Sequence, residues 1–202
     1  MTADGKSCPH PSEPGDTRCA SHARDNWTTG GPLGLSEIDV RTLRSQGVTR
    51  DQYEAYPRHI VPSTIRNLID AGISPADLAG WSDRFNFGSE LVALISAGIS
   101  PAQADAYPER FSGNEIVVMH EAGISPHTAD QWSNRFDGTD ITYLARHRLP
   151  PGYCEAYPDW MAPSVIWRLT SHKVTPDVIR QTAHLWSEPL DEDEITQFLS
   201  LL

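Results

Sequence analysis

The phrase Ala-Gly-Ile-Ser-Pro occurs three times, at 71–75, 97–101 and 122–126, so its copies start 26 and then 25 residues apart. A phrase that returns at so even an interval marks one structural unit laid down repeatedly, and every other reading of the chain has to fit that period. Each letter has a physical task. Glycine takes the left-handed conformation that ends a helix, and the next apolar residue covers that end. Serine then caps the following helix, and proline fits its first turn. One helix is expected to stop and another to start within five residues.

The period extends beyond the exact copies, to units starting near Gly47, Gly72, Gly98, Gly123, Arg148 and Lys173, preceded by a half unit from Leu35 whose Ser36 and Asp39 resemble a capping box. First helices open at Thr49, Ser74, Ser100, Ser125, Pro150 and Thr175. Each carries a mostly small or apolar residue (Tyr53, Leu78, Ala104, Ala129, Cys154, Ile179) and, in five units, an aromatic three residues on (Tyr56, Trp81, Tyr107, Trp132, Tyr157). That spacing places both on one helical face, pointing inward. Cys154 is thereby read as a packing residue. Ser63, Ser89, Asn114, Thr139 and Ser164 are expected to cap the second helices, whose apolar faces pair Ile65 with Leu68, Leu91 with Leu94, Ile116 with Met119, Ile141 with Leu144 and Ile166 with Leu169. Ile195 and Phe198 take these places in a loosely fitting last unit, and Phe198 to Leu202 are expected to seal its core, or else to pair with another subunit or partner. Arg148 and Lys173 stand where glycine closes the earlier helices, which predicts strain there.

One such unit buries too few apolar side chains to fold alone, whereas stacked neighbours share their faces. The expected fold is therefore all-α: a right-handed helical-repeat solenoid of short helix pairs over 35–202. The pattern W/Y-x-x-R-F-x-G-x-D/E-I-x-x-L-x-x-A-G-I-S-P, seen from Trp132 through Ile141, resembles two-helix repeats of roughly 25 residues in uncharacterised prokaryotic proteins. The resemblance covers 47 to about 180 and implies no activity or binding site.

Residues 1–34 read differently, rich in Pro and Gly and without helical period. Cys8, His10, Cys19 and His22 fall within fifteen residues, and Cys with neutral His is the donor set that tetrahedral zinc selects. A disulfide across so short a loop supplies about 3 kcal/mol, structural zinc about 10–16, so only the metal offers enough to order the segment. A structural zinc knuckle at these four residues is the expectation, with a flexible tail or a disulfide as the alternatives.

Composition limits what the chain can do. With 16 basic and 27 acidic residues the net charge is -11, which opposes broad attraction to nucleic acid or anionic lipid. No apolar run is long enough to span a membrane and the start lacks a secretory signal, so a cytoplasmic location is expected. No phosphate loop, dinucleotide fingerprint or nucleophile elbow is present, and Met119-His120-Glu121 lacks the second histidine of a zinc protease. His120, His147 and His172 sit in last turns, where a cation suits the helix dipole.

One equivalent position forms a ladder: His59, Arg84, Arg110, Arg135 and Trp160. Such a stripe can meet a partner, or each cation can bond helix-end carbonyls or a nearby carboxylate such as Asp83, Glu109 or Asp137. The function expected is a non-enzymatic scaffold for a protein partner. The alternative is a nucleic-acid binder using this ladder and the zinc knuckle.

Overall fold

The computed structural model describes residues 35–182 together with Glu194 and Gln197. Cys8, His10, Cys19 and His22, Ile195 and Phe198, and the end Leu199 to Leu202 lie outside the described residues. Among those described, secondary structure is helical throughout, with no strand. In order come α1 (Glu37–Ser45), α2 (Arg50–Ala55), a 3-10 turn (Pro62–Thr64), α3 (Ile65–Asp70), a second 3-10 turn (Pro75–Leu78), α4 (Gly88–Ser96), α5 (Pro101–Asp105), α6 (Gly113–Glu121), α7 (Pro126–Asp130), α8 (Gly138–Arg146), α9 (Pro151–Cys154), α10 (Pro163–Ser171) and α11 (Pro176–Thr182). The chain divides at Val92 and Ala93, within α4, into two compact units.

The joints close as their sequence dictates. At Gly72 and Ile73 the backbone N–H groups donate to the carbonyls of Ile69 and Leu68, a Schellman closure. The same pair of bonds forms at Gly47 and Val48, Gly98 and Ile99, Gly123 and Ile124, Arg148 and Leu149, and Lys173 and Val174. Glycine has φ of 71 to 74° at the first four of these, and Arg148 and Lys173 are held at 60° and 61°. A side chain in that region costs about 1 kcal/mol or more, so the expected strain is present.

The inward residues are inward. Leu78, Ala104, Ala129, Cys154 and Ile179 are buried, as are Trp81, Tyr107, Trp132 and Tyr157 and all five second-helix pairs. The route to that burial differs from the expectation. First helices are only four to seven residues long where they form, and the one beginning at Pro75 is a 3-10 turn. The aromatic therefore lies just past the helix, and Tyr56 already has extended backbone. It is buried by the turn that follows, not by a shared helical face.

The second-helix caps also move. Ser112 caps α6 and Asp137 caps α8, two residues before Asn114 and Thr139. Ala162 precedes α10 without a side-chain cap, and Ser63 lies inside a 3-10 turn. Glycine or proline occupies the first position of these helices, and at Gly88 and Gly138 it packs closely. A Cβ on Gly138 would stand 2.6 Å from Glu115 Cβ, and one on Gly88 would stand 2.4 Å from the Thr64 carbonyl oxygen. Only glycine admits those approaches.

Candidate functional site

The ladder residues sit in the turns that connect first to second helices, each immediately before a buried residue: Ile60, Phe85, Phe111, Phe136 and Met161. All five are half-buried. The arginine guanidiniums lie over the following rings, with Cζ at 4.9 Å from the Phe85 centroid for Arg84, 4.5 Å for Arg110 and 4.4 Å for Arg135. The polar partners of Arg110, Arg135 and His59 are found one period onward. Arg110 donates to the carbonyls of Ala129 and Trp132 and to Asn134 Oδ1. Arg135 donates to the Tyr157 carbonyl at 2.8 Å and to Asp159 Oδ1 at 3.2 Å. His59 Nδ1 stands 3.1 Å from Asp83 Oδ1. Arg110 and Arg135 thus close the carbonyl ends of the next first helix, where a cation suits the dipole.

A second set of bonds repeats at the aromatic position. The hydroxyls of Tyr56, Tyr107 and Tyr157 donate to the carbonyls of Ile73, Ile124 and Val174, at 2.7, 2.6 and 2.7 Å. Burial pushes all three phenols above their ordinary range. Tryptophan alternates with tyrosine here and packs edge-on instead, Trp81 on Phe85 and Trp132 on Phe136. The buried Trp132 Nε1 has no hydrogen-bond partner among the described residues.

Carboxylates link second helices. Glu115 accepts from the Ser112 N–H and hydroxyl, and its other oxygen accepts from the Gly138 N–H at 2.9 Å. Burial raises the Glu115 carboxyl, but the N–H of Gly138, the Ser112 donors and the Arg110 charge outweigh it, leaving it below the usual range. Asp140 shifts the other way, raised by burial and then by Asp137.

Helices α6, α8 and α10 pack side by side in that order. Each carries a half-buried apolar side chain beside its buried pair, Val118 on α6, Tyr143 on α8 and Trp167 on α10, with Val118 and Tyr143 at one repeat position and Trp167 at the neighbouring one. Tyr143, exposed His147 and Trp167 form one cluster: Tyr143 meets both rings edge-on, at centroid distances of 4.7 and 6.3 Å. The His147 and Trp167 rings lie 4.5 Å apart at 32°. Elsewhere in the same unit an open cleft of about 480 Å³ lies between α5 and the joint before α7, lined by Ala102, Ala106, Tyr107, His120, Ile124 and Pro126. Sequence reasoning passed over Tyr143 and Trp167, because it compared each second helix by its buried pair alone. The signal available was that a valine in α6 gives way to aromatics and arginines in α8 and α10.

Among the described residues no three His, Cys, Asp or Glu side chains are grouped to hold a metal ion. No described helix is long and apolar enough to cross a membrane. Cys154 is buried, and burial pushes its thiol up to about 11, so it is unsuited to nucleophilic work near neutrality. Comparison of the chain with protein-family models, curated proteins and solved structures finds no match.

Proposed function

We propose that this chain is a non-enzymatic protein-interaction scaffold, a right-handed solenoid of helix pairs that offers the outer face of its second helices to a protein partner. The observation carrying this reading is the set of half-buried apolar side chains Val118, Tyr143 and Trp167 on the packed helices α6, α8 and α10, the last two in edge-on ring contact. Half-buried aromatics on a rigid helical face are the anchors that protein interfaces use. The nucleic-acid alternative draws less support, since Arg110 and Arg135 are half-buried over phenylalanine rings and donate to main-chain carbonyls and neighbouring side chains.

The test is site-specific photo-crosslinking in cells of the source organism, with benzoylphenylalanine in place of Val118 or, as a control on a first helix, Gln131. A protein captured from position 118 and not from 131 is the expected result. Capture of nucleic acid alone, or equal capture from both positions, overturns the reading.

A structural zinc held by Cys8, His10, Cys19 and His22 belongs to the same proposal. The purified chain is expected to carry one equivalent of zinc, lost on Cys8→Ser or Cys19→Ser, and a metal-free preparation of full-length protein overturns it.

A further inference from the structure

The ends of the second helices change charge along this unit. α6 runs out through His120 and Glu121 into Gly123, with no Lys or Arg in 113–124. From Ile141 the end of α8 carries Arg146, His147 and Arg148, and α10 with its joint carries Arg168, His172 and Lys173, with no acidic residue in 141–149 or 163–174. This concentration lies in a chain of net charge -11. Arg146, Arg148 and Lys173 are exposed, and their side chains make no hydrogen bond or ion pair among the described residues. Arg146 and Arg148 flank His147 of the Tyr143, His147 and Trp167 cluster in the chain, and Lys173 follows Trp167 by six residues.

The helix dipole accounts for a cation in a last turn, which Arg146 already provides in α8 and Arg168 in α10. It does not account for a further cation at the one backbone position that disfavours any side chain. Arg148 and Lys173 occupy the left-handed site that glycine fills in the four earlier joints. Two successive joints hold a basic residue in this region, the first next to His147 in the chain and the second six residues after Trp167, and backbone strain of this kind clusters at functional sites.

We infer that Tyr143, Arg146, His147, Arg148, Trp167 and Lys173 form a docking patch for an acidic peptide segment carrying an aromatic or aliphatic anchor. The partner's carboxylates pair with the three cations, and its anchor lies against Trp167 and Tyr143. This deepens the scaffold reading and rests on it. A short peptide suits the patch better than a nucleic-acid strand. The attraction is confined to about one Debye length, roughly 10 Å, and a polyanion continuing toward the end of α6 meets Glu121.

The experiment uses the full chain and a fluorescein-labelled peptide repeating Glu-Glu-Phe-Glu three times, read by anisotropy, beside the matching Gln-Gln-Phe-Gln peptide and a labelled oligothymidine. The Glu/Phe peptide is expected to bind at low salt and to weaken as salt is raised. Arg148→Gly with Lys173→Gly is expected to weaken it about tenfold or more, a loss of two charge-assisted contacts. Glycine suits both joints, so the same variant keeps or raises the melting temperature, and lost binding is not lost folding. Unchanged affinity in the variant, equal binding of the Gln/Phe peptide, no binding, or oligothymidine binding as tightly as the acidic peptide each overturns the assignment. A protein captured at position 118 whose affinity ignores the double variant removes this patch and leaves the scaffold reading standing. Failure of that capture removes the scaffold reading itself.

Discussion

The Tyr107 hydroxyl donates to the main-chain carbonyl of Ile124, the residue that covers the joint seventeen positions later. Tyr56 and Tyr157 repeat the bond to Ile73 and Val174. Replacing Tyr107 by Phe strips a buried carbonyl of its partner without changing the shape of the ring. A loss of about 1–2 kcal/mol is expected in denaturant unfolding, with no change in m-value. A neutral outcome would show that water reaches the Ile124 carbonyl.

Two glycine substitutions separate close packing from backbone conformation. Gly138→Ala drives a methyl into Glu115 Cβ, which is 2.6 Å away, and is expected to cost about 2 kcal/mol or more. Gly98→Ala meets nothing within 4 Å but has φ of 71°, and is expected to cost about 1 kcal/mol. Thermal melts of the two variants should rank in that order. The reverse order would mean that α8 can move away from Glu115.

Glu115 makes stability depend on pH. Its carboxyl titrates below the usual range when folded, so it contributes stability that is present above the unfolded-state value of about 4.3 and is lost as pH falls through the folded value. Glu115→Gln should cost about 1–2 kcal/mol at pH 7, with the gap to wild type closing under acid. Asp140 carries the opposite sign, since its raised pKa means the ionised form is held at a cost. Asp140→Asn should stabilise at pH 7, and that advantage should fade as pH falls through the folded value. Urea titrations of both variants at several pH values check the two signs together.

Cys154 should behave as a small apolar group. In a variant with Cys8 and Cys19 changed to Ser, a thiol reagent at pH 8 is expected to label the native protein only as fast as it unfolds. Cys154→Ala installs the residue already found at Ala104 and Ala129, the equivalent buried positions, and should cost no more than about 1–2 kcal/mol. Rapid labelling of native protein would contradict the burial.

The joints were legible because their information is local. Gly72-Ile73-Ser74-Pro75 contains its own stop, cover and start, and the six closures follow residue by residue. The burial of Trp81 and Trp132 followed equally from the period. Helix bounds did not, for a physical reason. Asn114 and Thr139 are acceptable caps taken alone, but the caps are Ser112 and Asp137, and at Asp137 the following Gly138 packs on a neighbouring helix, a demand for space that no local pattern records. The ladder was visible as a stripe, but the partners of Arg110 and Arg135 lie 19 to 24 residues away and are set by how one helix pair meets the next. The patch around Trp167 was missed because it depends on differences between copies, and attention to a period favours what the copies share.

The connector from Phe85 to Gly88 holds one residue more than its counterparts, and Asn86 takes up the surplus by accepting the Val61 N–H at 2.8 Å while Phe87 is turned outward. The joints absorb no such addition, since each closure ties a fixed stretch of main chain. A gene for this chain can therefore gain or lose codons in its connectors, or whole copies by recombination, and still encode the fold. A single codon inserted between Ala122 and Pro126 would break the punctuation of that joint.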